Sequence, residues 1–247
     1  MDARANRLPL GEIDTLFLDA GGTLITMDFG LVARELAALG HACRADALAR
    51  AEAAARPLIS RAVASGGSTE GRDVFAAYVD LVLRRALSLA DDARSALASA
   101  LVPRIRFPGR SLELWSAVIP GVPEALARLR AAGYRLVVVS NADGTVEEGL
   151  TRAGLRPYLH AVVDSHVVGF EKPDPRIFDH ALSLFGSDPT RTLHVGDMYA
   201  ADVVGARAAG LHALLLDPHG DWGEVDCPLT ASVPSLASRL LELREAR

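Results

Sequence analysis

The chain has 247 residues, half of them hydrophobic, and a formal net charge of −5. That length accommodates one large α/β domain with a smaller insertion, and the apolar content is sufficient for a substantial core. The negative charge argues against a nucleic-acid binder, which would need a broad basic face. The two cysteines, Cys43 and Cys227, provide neither a disulfide framework nor the spacing of metal ligands.

Residues 1–9 carry three charges and no apolar run, so we do not expect a signal peptide. No stretch of the sequence approaches the length of a transmembrane segment. We therefore expect a cytoplasmic protein that works without a membrane.

The first motif follows a short apolar run, Leu16–Leu18, that ends abruptly at Asp19. Two glycines and Thr23 come next, a pattern typical of a buried parallel strand that opens into a tight turn. A carboxylate at the end of such a strand can act as a nucleophile or bind a hard cation.

A long helical region follows, from about Asp28 to about Leu101, and it contains no strand pattern. Pro57 predicts a break or kink in its second helix, and residues 65–68 predict a loop. We expect a small helical cap, residues 28–111, inserted into a core formed by residues 1–27 and 112–247.

Alternating strands and helices resume after this block. Apolar strands are predicted at residues 136–139, 161–163, 193–195 and 213–216. Asp174 and Pro175 have the pattern of a helix start. The expected fold is α/β, with a doubly wound, Rossmann-like parallel sheet and the inserted α-helical cap.

Polar side chains follow four of the predicted strands: Asp19, Ser140, Lys172, and Asp197 with Asp202. Because the carboxyl ends of parallel strands share one edge, these residues should converge. The carboxylates can hold Mg²⁺, and a hydroxyl, backbone amides and an ammonium can hold a phosphoryl group. The ammonium is notable because the chain has 25 arginines and this single lysine.

At this point the sequence resembles the haloacid dehalogenase-like hydrolase superfamily, in the subgroup with a helical cap after the first strand. Four motifs carry the resemblance in order: D-A-G-G-T-L from Asp19, V-V-V-S-N to Asn141, E-K-P-D-P around Lys172, and V-G-D-M-Y-A-A-D from Val195 to Asp202. Each follows an apolar strand, which makes the set far more specific than any single motif.

The resemblance implies a small phosphorylated substrate and a Mg²⁺ cofactor. Asp19 would be the nucleophile that forms an aspartyl-phosphate, assisted by Lys172. The metal ligands would be Asp19, the backbone carbonyl of Gly21, Asp197 and, directly or indirectly, Asp202. The substrate-binding residues would be Gly21, Gly22, Thr23, Ser140, Asn141 and Lys172.

The sequence departs from the phosphatases of the family at Gly21, where they carry a second Asp that acts as general acid and base. Loss of such a group typically costs ~10²–10⁴-fold in rate. We therefore expect a Mg²⁺-dependent phosphatase that is slow or selective for good leaving groups. Four cap residues are candidates to replace the acid, and the sequence does not choose among them: Asp28, His41, Asp73 and Tyr78.

Three other interpretations compete with a phosphatase. A phosphonatase would need a cap lysine, and residues 28–119 contain none. A 2-haloacid dehalogenase also lacks the second Asp, but such enzymes do not keep the acidic pair Asp197 and Asp202. A regulatory protein with impaired catalysis would have little reason to retain the nucleophile and the lysine.

We expect a histidine and two tryptophans near the motifs to have structural roles. His194, inside a strand, is expected to be a buried histidine with satisfied hydrogen bonds. Trp115 and Trp222 are expected to be packing residues, although Trp115 is close enough to the return of the insertion to touch substrate.

Overall fold

The computed structural model describes residues 8–64, 71–106 and 109–246. The strands are β1 (Thr15–Leu18), β2 (Ile25–Thr26), β3 (Ala117–Val118), β4 (Arg135–Ser140), β5 (Ala161–Asp164), β6 (Thr192–Gly196), β7 (His212–Leu216) and β8 (Leu229–Thr230). The α-helices are α1 (Phe29–Ala38), α2 (Ala45–Ala64), α3 (Arg72–Ala86), α4 (Asp91–Ile105), α5 (Ser111–Leu114), α6 (Val122–Ala131), α7 (Val146–Arg152), α8 (Ser165–Val168), α9 (Pro175–Ser183), α10 (Gly205–Ala208) and α11 (Val233–Glu245). A segment with π-type hydrogen bonding, Tyr199–Val204, leads into α10.

Six strands form one parallel sheet in the order β5-β4-β1-β6-β7-β8. Strand β1 is central, and Leu16 lies beside Leu136 of β4 and Leu193 of β6. The strands that follow lie on both sides of β1, with β4 and β5 on one side and β6, β7 and β8 on the other. The carboxyl ends of β1 and its neighbours therefore flank a crevice of the kind where open α/β sheets bind ligands. The predicted doubly wound fold is confirmed.

Both faces of the sheet are covered, which explains why the strands are nearly continuous apolar runs. Leu16 and Leu18 pack on one face with Leu126 of α6 and Leu240 of α11. Phe17, between them, points to the other face and packs with Phe178 of α9. The first strand therefore sits rigidly between two hydrophobic layers and holds the residue that follows it in a fixed place.

The helical insertion, α1–α4, leaves the core after β2 and returns through α5 to β3. The two short strands form an antiparallel ribbon in which Ile25 pairs with Val118. The Asp28 carboxylate caps α1 by accepting a hydrogen bond from the N–H of Leu31 at 2.9 Å. A hydrophobic cluster of its own, which includes Leu36, Phe75 and Leu101, holds the insertion together.

Local expectations about the insertion were less accurate. A break or kink was predicted at Pro57, and the break is absent: α2 runs without interruption from Ala45 to Ala64. Burial of Ala55 and Ile59 on either side of the proline shows that packing offsets the ~3 kcal/mol that proline costs inside a helix. The predicted loop at residues 65–68 lies outside the described residues, and the domain limits at 28 and 111 stay a prediction.

None of the helices that the structure describes combines the length and the apolar character needed to cross a bilayer.

Candidate active site

The predicted site residues come together at the carboxyl edge of the sheet. Asp19 follows β1, Ser140 ends β4 and Asp197 follows β6, while Lys172 and Asp202 arrive from the loop after α8 and from the π-type segment. All five line a single cavity of about 160 Å³ between the sheet and the helical insertion. The convergence predicted from the motifs is therefore present in the fold.

Lys172 bridges two of the carboxylates. Its Nζ donates to Asp19 Oδ1 at 2.8 Å and to Asp202 Oδ1 at 2.6 Å, and the residue is only 3% exposed. Burial disfavours the charged ammonium, but Asp19 and Asp202 outweigh it and raise the pKa of Lys172 above its ordinary value. The lysine is thus held as a cation beside the predicted nucleophile.

The loop that carries Lys172 is fixed by Asn141. The Asn141 side chain accepts a hydrogen bond from the Lys172 backbone N–H at 2.7 Å and donates one to its carbonyl oxygen at 2.9 Å. This paired contact positions the lysine across 31 residues of sequence. The substrate-binding role expected for Asn141 stays a prediction, and the positioning role was not foreseen.

Asp202 has partners on both of its oxygens. Besides Lys172, Oδ1 lies 2.9 Å from His194 Nε2, and Oδ2 accepts from the N–H of Met198 at 2.8 Å. Burial opposes ionisation of this carboxyl, but Lys172 and His194 lower its pKa below the usual range. Asp202 therefore remains a carboxylate that orients the lysine, and it adds negative charge to the cluster.

His194 is buried, as expected, but only half satisfied. Burial lowers its pKa, so the ring is neutral, and Nδ1 has no partner among the described residues. Since Asp202 is an acceptor, we assign the proton to Nε2. The contact between His194 and Asp202 was not predicted. His194 and Gly196 are two residues apart on β6 and face the same side of the strand, and Gly196 lies directly against the Asp202 carboxylate.

Asp197 lies against a tight turn and an arginine. A Cβ on Gly22 would stand 2.2 Å from Asp197 Oδ2, and Gly22 has a φ of 70°. Both facts require glycine at this position. Burial raises the pKa of Asp197 to about 8, an effect that Arg56 opposes and the nearby Asp19 and Asp202 reinforce.

The cluster has the chemistry of a divalent cation site. Ligand atoms of Asp19, Asp197 and Asp202 all lie within 4.8 Å of one another, and all three residues are buried. With Glu52, four buried carboxylates face two cations, Lys172 and Arg56. A hard divalent ion, which prefers carboxylate oxygen, would balance this excess charge. The residues present therefore fit a metal.

A buried trio from the insertion completes the site, and the sequence analysis missed most of it. Arg56 makes a bidentate ion pair with Glu52, in which Nε lies 2.9 Å from Oε1 and Nη2 lies 2.8 Å from Oε2. Its Nε also lies 3.2 Å from Asp197 Oδ2. The hydroxyl of Tyr78 donates to Glu52 Oε1 at 2.5 Å. The i,i+4 spacing of Glu52 and Arg56 could have revealed their pair, but no sequence signal connects it to Asp197.

The structure does not favour any of the four candidates for a replacement general acid. Burial and the neighbouring Glu52 raise the pKa of Tyr78 well above its usual value, so it holds its proton too tightly to donate it readily. Asp28 is occupied as the cap of α1. Asp28, His41 and Asp73 are not among the described residues that line the cavity.

Gly21 lies in the cavity wall directly against Trp115. Its φ is not in the left-handed region, so the backbone itself does not demand glycine there. A Cβ on Gly21 would instead meet the Trp115 ring, with Cζ3 at 3.1 Å and Cε3 at 3.4 Å. A side chain at position 21 would therefore begin in tight contact with the indole.

Thr23 and Ser140, two further predicted site residues, make few contacts that indicate a role. Thr23 is 1% exposed inside the turn, and its hydroxyl has no hydrogen-bond partner within the described part of the chain. Ser140 lines the cavity, with its hydroxyl 3.5 Å from the Asn141 carbonyl oxygen. Both roles stay predictions.

Comparison with known proteins decides the family. Residues 13–210 match the model described as haloacid dehalogenase-like hydrolase, which covers most of the chain. The chain belongs to the haloacid dehalogenase-like hydrolase family. The helical insertion after β1 and β2 agrees with the subgroup to which the motifs pointed.

The relatives of this hydrolase include proteins described as phosphatases and proteins described only by the family's domain. It is 42% identical over 99 residues to human haloacid dehalogenase-like hydrolase domain-containing protein 3, covering 40% of this chain and 39% of the relative. It is 40% identical over 99 residues to glyceraldehyde 3-phosphate phosphatase from Methanothermobacter thermautotrophicus, covering 40% and 44%. The chain thus matches about two fifths of the length of these curated relatives.

The fold of the hydrolase also matches solved structures along its length. The HAD-hydrolase YfnB from Bacillus subtilis, bound to magnesium, superposes with a TM-score of 0.64 and 20% identity, covering 92% of this chain and 98% of that one. At this identity the likeness establishes the shared fold.

Proposed function

We propose that this hydrolase is a Mg²⁺-dependent phosphatase that acts on a small phosphorylated metabolite through an aspartyl-phosphate on Asp19. The observation that carries the proposal is the Lys172 bridge, which holds a buried ammonium against Asp19 at 2.8 Å inside a cluster of acidic residues. The relative from Methanothermobacter thermautotrophicus, described as a phosphatase, and the magnesium-bound YfnB support this assignment.

Mg²⁺ would be held by Asp19 and Asp197, with the Gly21 carbonyl oxygen and with Asp202 directly or through water. When bound, it would neutralise the charge on the phosphoryl oxygens. The protein's own groups would do the rest of the positioning: the Lys172 ammonium and the Ser140 hydroxyl would contact the non-bridging oxygens of the phosphoryl group. The N–H groups of Gly22 and Thr23 donate instead to the carbonyl oxygens of Ile25 and Ala20 and stabilise the turn beside Asp19.

In the first step, a carboxylate oxygen of Asp19 would attack phosphorus, forming the O–P bond as the bond to the leaving oxygen breaks. In the second, water would attack phosphorus and release inorganic phosphate, returning the Asp19 carboxylate. Lys172 lowers the energy of both steps by offsetting negative charge next to Asp19.

The leaving oxygen would depart with little help from a proton donor. Gly21 provides none, and Tyr78 and Glu52 are bound to each other in the buried trio. We therefore propose that the enzyme prefers acyl and aryl phosphates, whose leaving oxygens are stable as anions, over alkyl phosphates such as sugar phosphates.

An activity panel tests the proposal. Phosphate release from acyl, aryl and alkyl phosphates would be measured with and without Mg²⁺, beside halide release from 2-haloacids, with Asp19→Asn as the inactive control. Mg²⁺-dependent phosphate release that Asp19→Asn abolishes is the expected result. Halide release without a metal would instead identify a dehalogenase, and Mg²⁺ binding without any turnover would indicate a regulatory protein.

A further inference from the structure

The Trp115 indole lies where a side chain at position 21 would extend. The nearest ring atom is 3.1 Å from the Cβ that Gly21 lacks, and three atoms of the ring lie within 3.5 Å of that point. Trp115 packs against both the hydrophobic cluster of the sheet and that of the insertion. Its ring is therefore fixed from two sides and forms a wall of the cavity beside Asp19.

The rest of that wall is mostly aromatic and apolar, apart from the buried Arg106, whose guanidinium lies 4.4 Å from the centre of the Phe75 ring. Phe75 and Tyr78 of α3 line the cavity with their rings edge to face, 5.8 Å between centroids. Aliphatic side chains complete the lining: Ile25, Ile59, Val74, Leu112 and Val146.

The polar groups nearest to this wall already have partners. Asp143, which lines the cavity, accepts hydrogen bonds from the hydroxyls of Ser111 and Thr145. Glu52 is bound by Arg56 and Tyr78. These side chains are hydrogen-bonded to one another. The surface available to the organic part of a ligand therefore consists mainly of ring faces and methyl groups.

We propose that Trp115 is the specificity-determining residue of this enzyme and that the substrate class is the phosphate ester of a small aromatic alcohol. This inference rests on the phosphatase function proposed above. The ring of the leaving group would stack on the Trp115 indole while its phosphoryl group meets Asp19 and Lys172. Aromatic pairs of this kind contribute more than their buried area alone.

The chemistry of the leaving group favours the same class of substrate. A phenolic oxygen has a pKa of about 10, as in tyrosine, and so leaves as an anion far more readily than an alkyl alkoxide. An enzyme with tryptophan in the acid's place has exchanged proton donation for recognition of a group that does not need it. Gly21 and Trp115 thus act as one unit.

The size of the cavity limits the ring. Its volume is about 160 Å³, and an apolar protein cavity of roughly 150 Å³ accommodates benzene. Because this volume also has to hold the phosphoryl group, the cavity favours a leaving group no larger than a single ring.

The experiment compares kcat/KM for phenyl phosphate and acetyl phosphate, which has a good leaving group but no ring, in wild type, Trp115→Ala and Trp115→Phe. Trp222→Phe is the matched control, because Trp222 packs in the cluster on the other face of the sheet. We expect Trp115→Ala to lower kcat/KM for phenyl phosphate by about 3- to 10-fold relative to acetyl phosphate. Trp115→Phe should recover most of the loss, and Trp222→Phe should leave the ratio unchanged.

A binding readout separates this inference from the phosphatase proposal. In the Trp222→Phe variant Trp115 is the one tryptophan left, and its fluorescence would be titrated with phenylphosphonate and with methylphosphonate. We expect phenylphosphonate to change the emission and to bind more tightly. Equal affinities, or equal loss on both substrates in Trp115→Ala, would overturn the role of Trp115 even if the enzyme is a phosphatase. Tight phenylphosphonate binding without any phosphate release would instead overturn the phosphatase proposal.

Discussion

Arg56 Nε, on helix α2 of the insertion, lies 3.2 Å from Asp197 Oδ2, at the end of strand β6. The same helix makes two more contacts with the core. Ser60 Oγ accepts from the N–H of Ala200 at 2.8 Å, and Arg50 forms a paired contact with Asp221, both distances being 2.8 Å. Helix α2 therefore joins the substrate-facing insertion directly to the acidic cluster.

Removing the Arg56 cation should destabilise the fold strongly. In Arg56→Met, Glu52 and Asp197 would lose a buried partner, and breaking such a pair typically costs about 3–5 kcal/mol. Arg50→Met is the matched control, since this half-exposed pair should contribute about 1 kcal/mol or less. The free energy of unfolding, measured by urea denaturation, distinguishes them. Equal losses in the two variants would show that Arg56 is not acting as a buried charge.

Mg²⁺ should raise the thermal midpoint of unfolding, because a ligand that binds only the folded state stabilises it. At a concentration a hundred times the Kd, the gain is about 2.7 kcal/mol. Asp197→Asn should abolish most of that shift. Asp188→Asn should retain it, because Asp188 is exposed and precedes the amino end of β6, whereas the cluster lies at the carboxyl end. A Mg²⁺ shift of the same size in Asp197→Asn would remove Asp197 from the ligand set.

Lys172→Ala should greatly weaken binding of inorganic phosphate or vanadate. The substitution leaves Asp19 and Asp202 without the ammonium that bridges them, so an incoming anion would meet uncompensated negative charge. Arg176→Ala is the control, because that side chain is exposed and pairs with Asp174 at the surface. Calorimetric titration of both variants in Mg²⁺ gives the affinities, and similar values would reduce Lys172 to an ordinary charge.

Restoring the acid at position 21 should require removal of Trp115. Gly21→Asp alone should gain little, because its Cβ would stand 3.1 Å from the indole, tighter than an ordinary contact, and the ring would have to shift to accept it. Gly21→Asp combined with Trp115→Ala should raise kcat/KM for alkyl phosphates, by up to the ~10²–10⁴-fold that general acid catalysis supplies.

The control for this pair of changes is Gly21→Asn with Trp115→Ala, which has the same shape but no acidic proton. It should show no gain. If both double variants improve equally, the benefit comes from space in the cavity and not from proton transfer.

The sequence predicted the parts of the site that are local to strands. Asp19, Ser140 and Asp197 each stand at the end of an apolar run, and parallel pairing brings such ends together whatever lies between them. Arg56 and His194 were not predicted in their roles, because their contacts depend on how α2 lies on the sheet and on which face of β6 is turned toward Asp202. The exclusion of a side chain at Gly21 by Trp115 could not be predicted either, since 94 residues separate the two.

The β2–β3 ribbon affects how the helical insertion can change during evolution. Because Thr26 pairs with Ala117, the whole of α1–α5 is, in topology, the loop of one short hairpin. The cost of closing a loop grows only slowly with its length, so this loop can be lengthened, shortened or exchanged while the strand order is unchanged. Phe75 and Trp115 of the aromatic wall can therefore change independently of the strands that hold the acidic cluster, and new substrates can be acquired without rebuilding the chemistry.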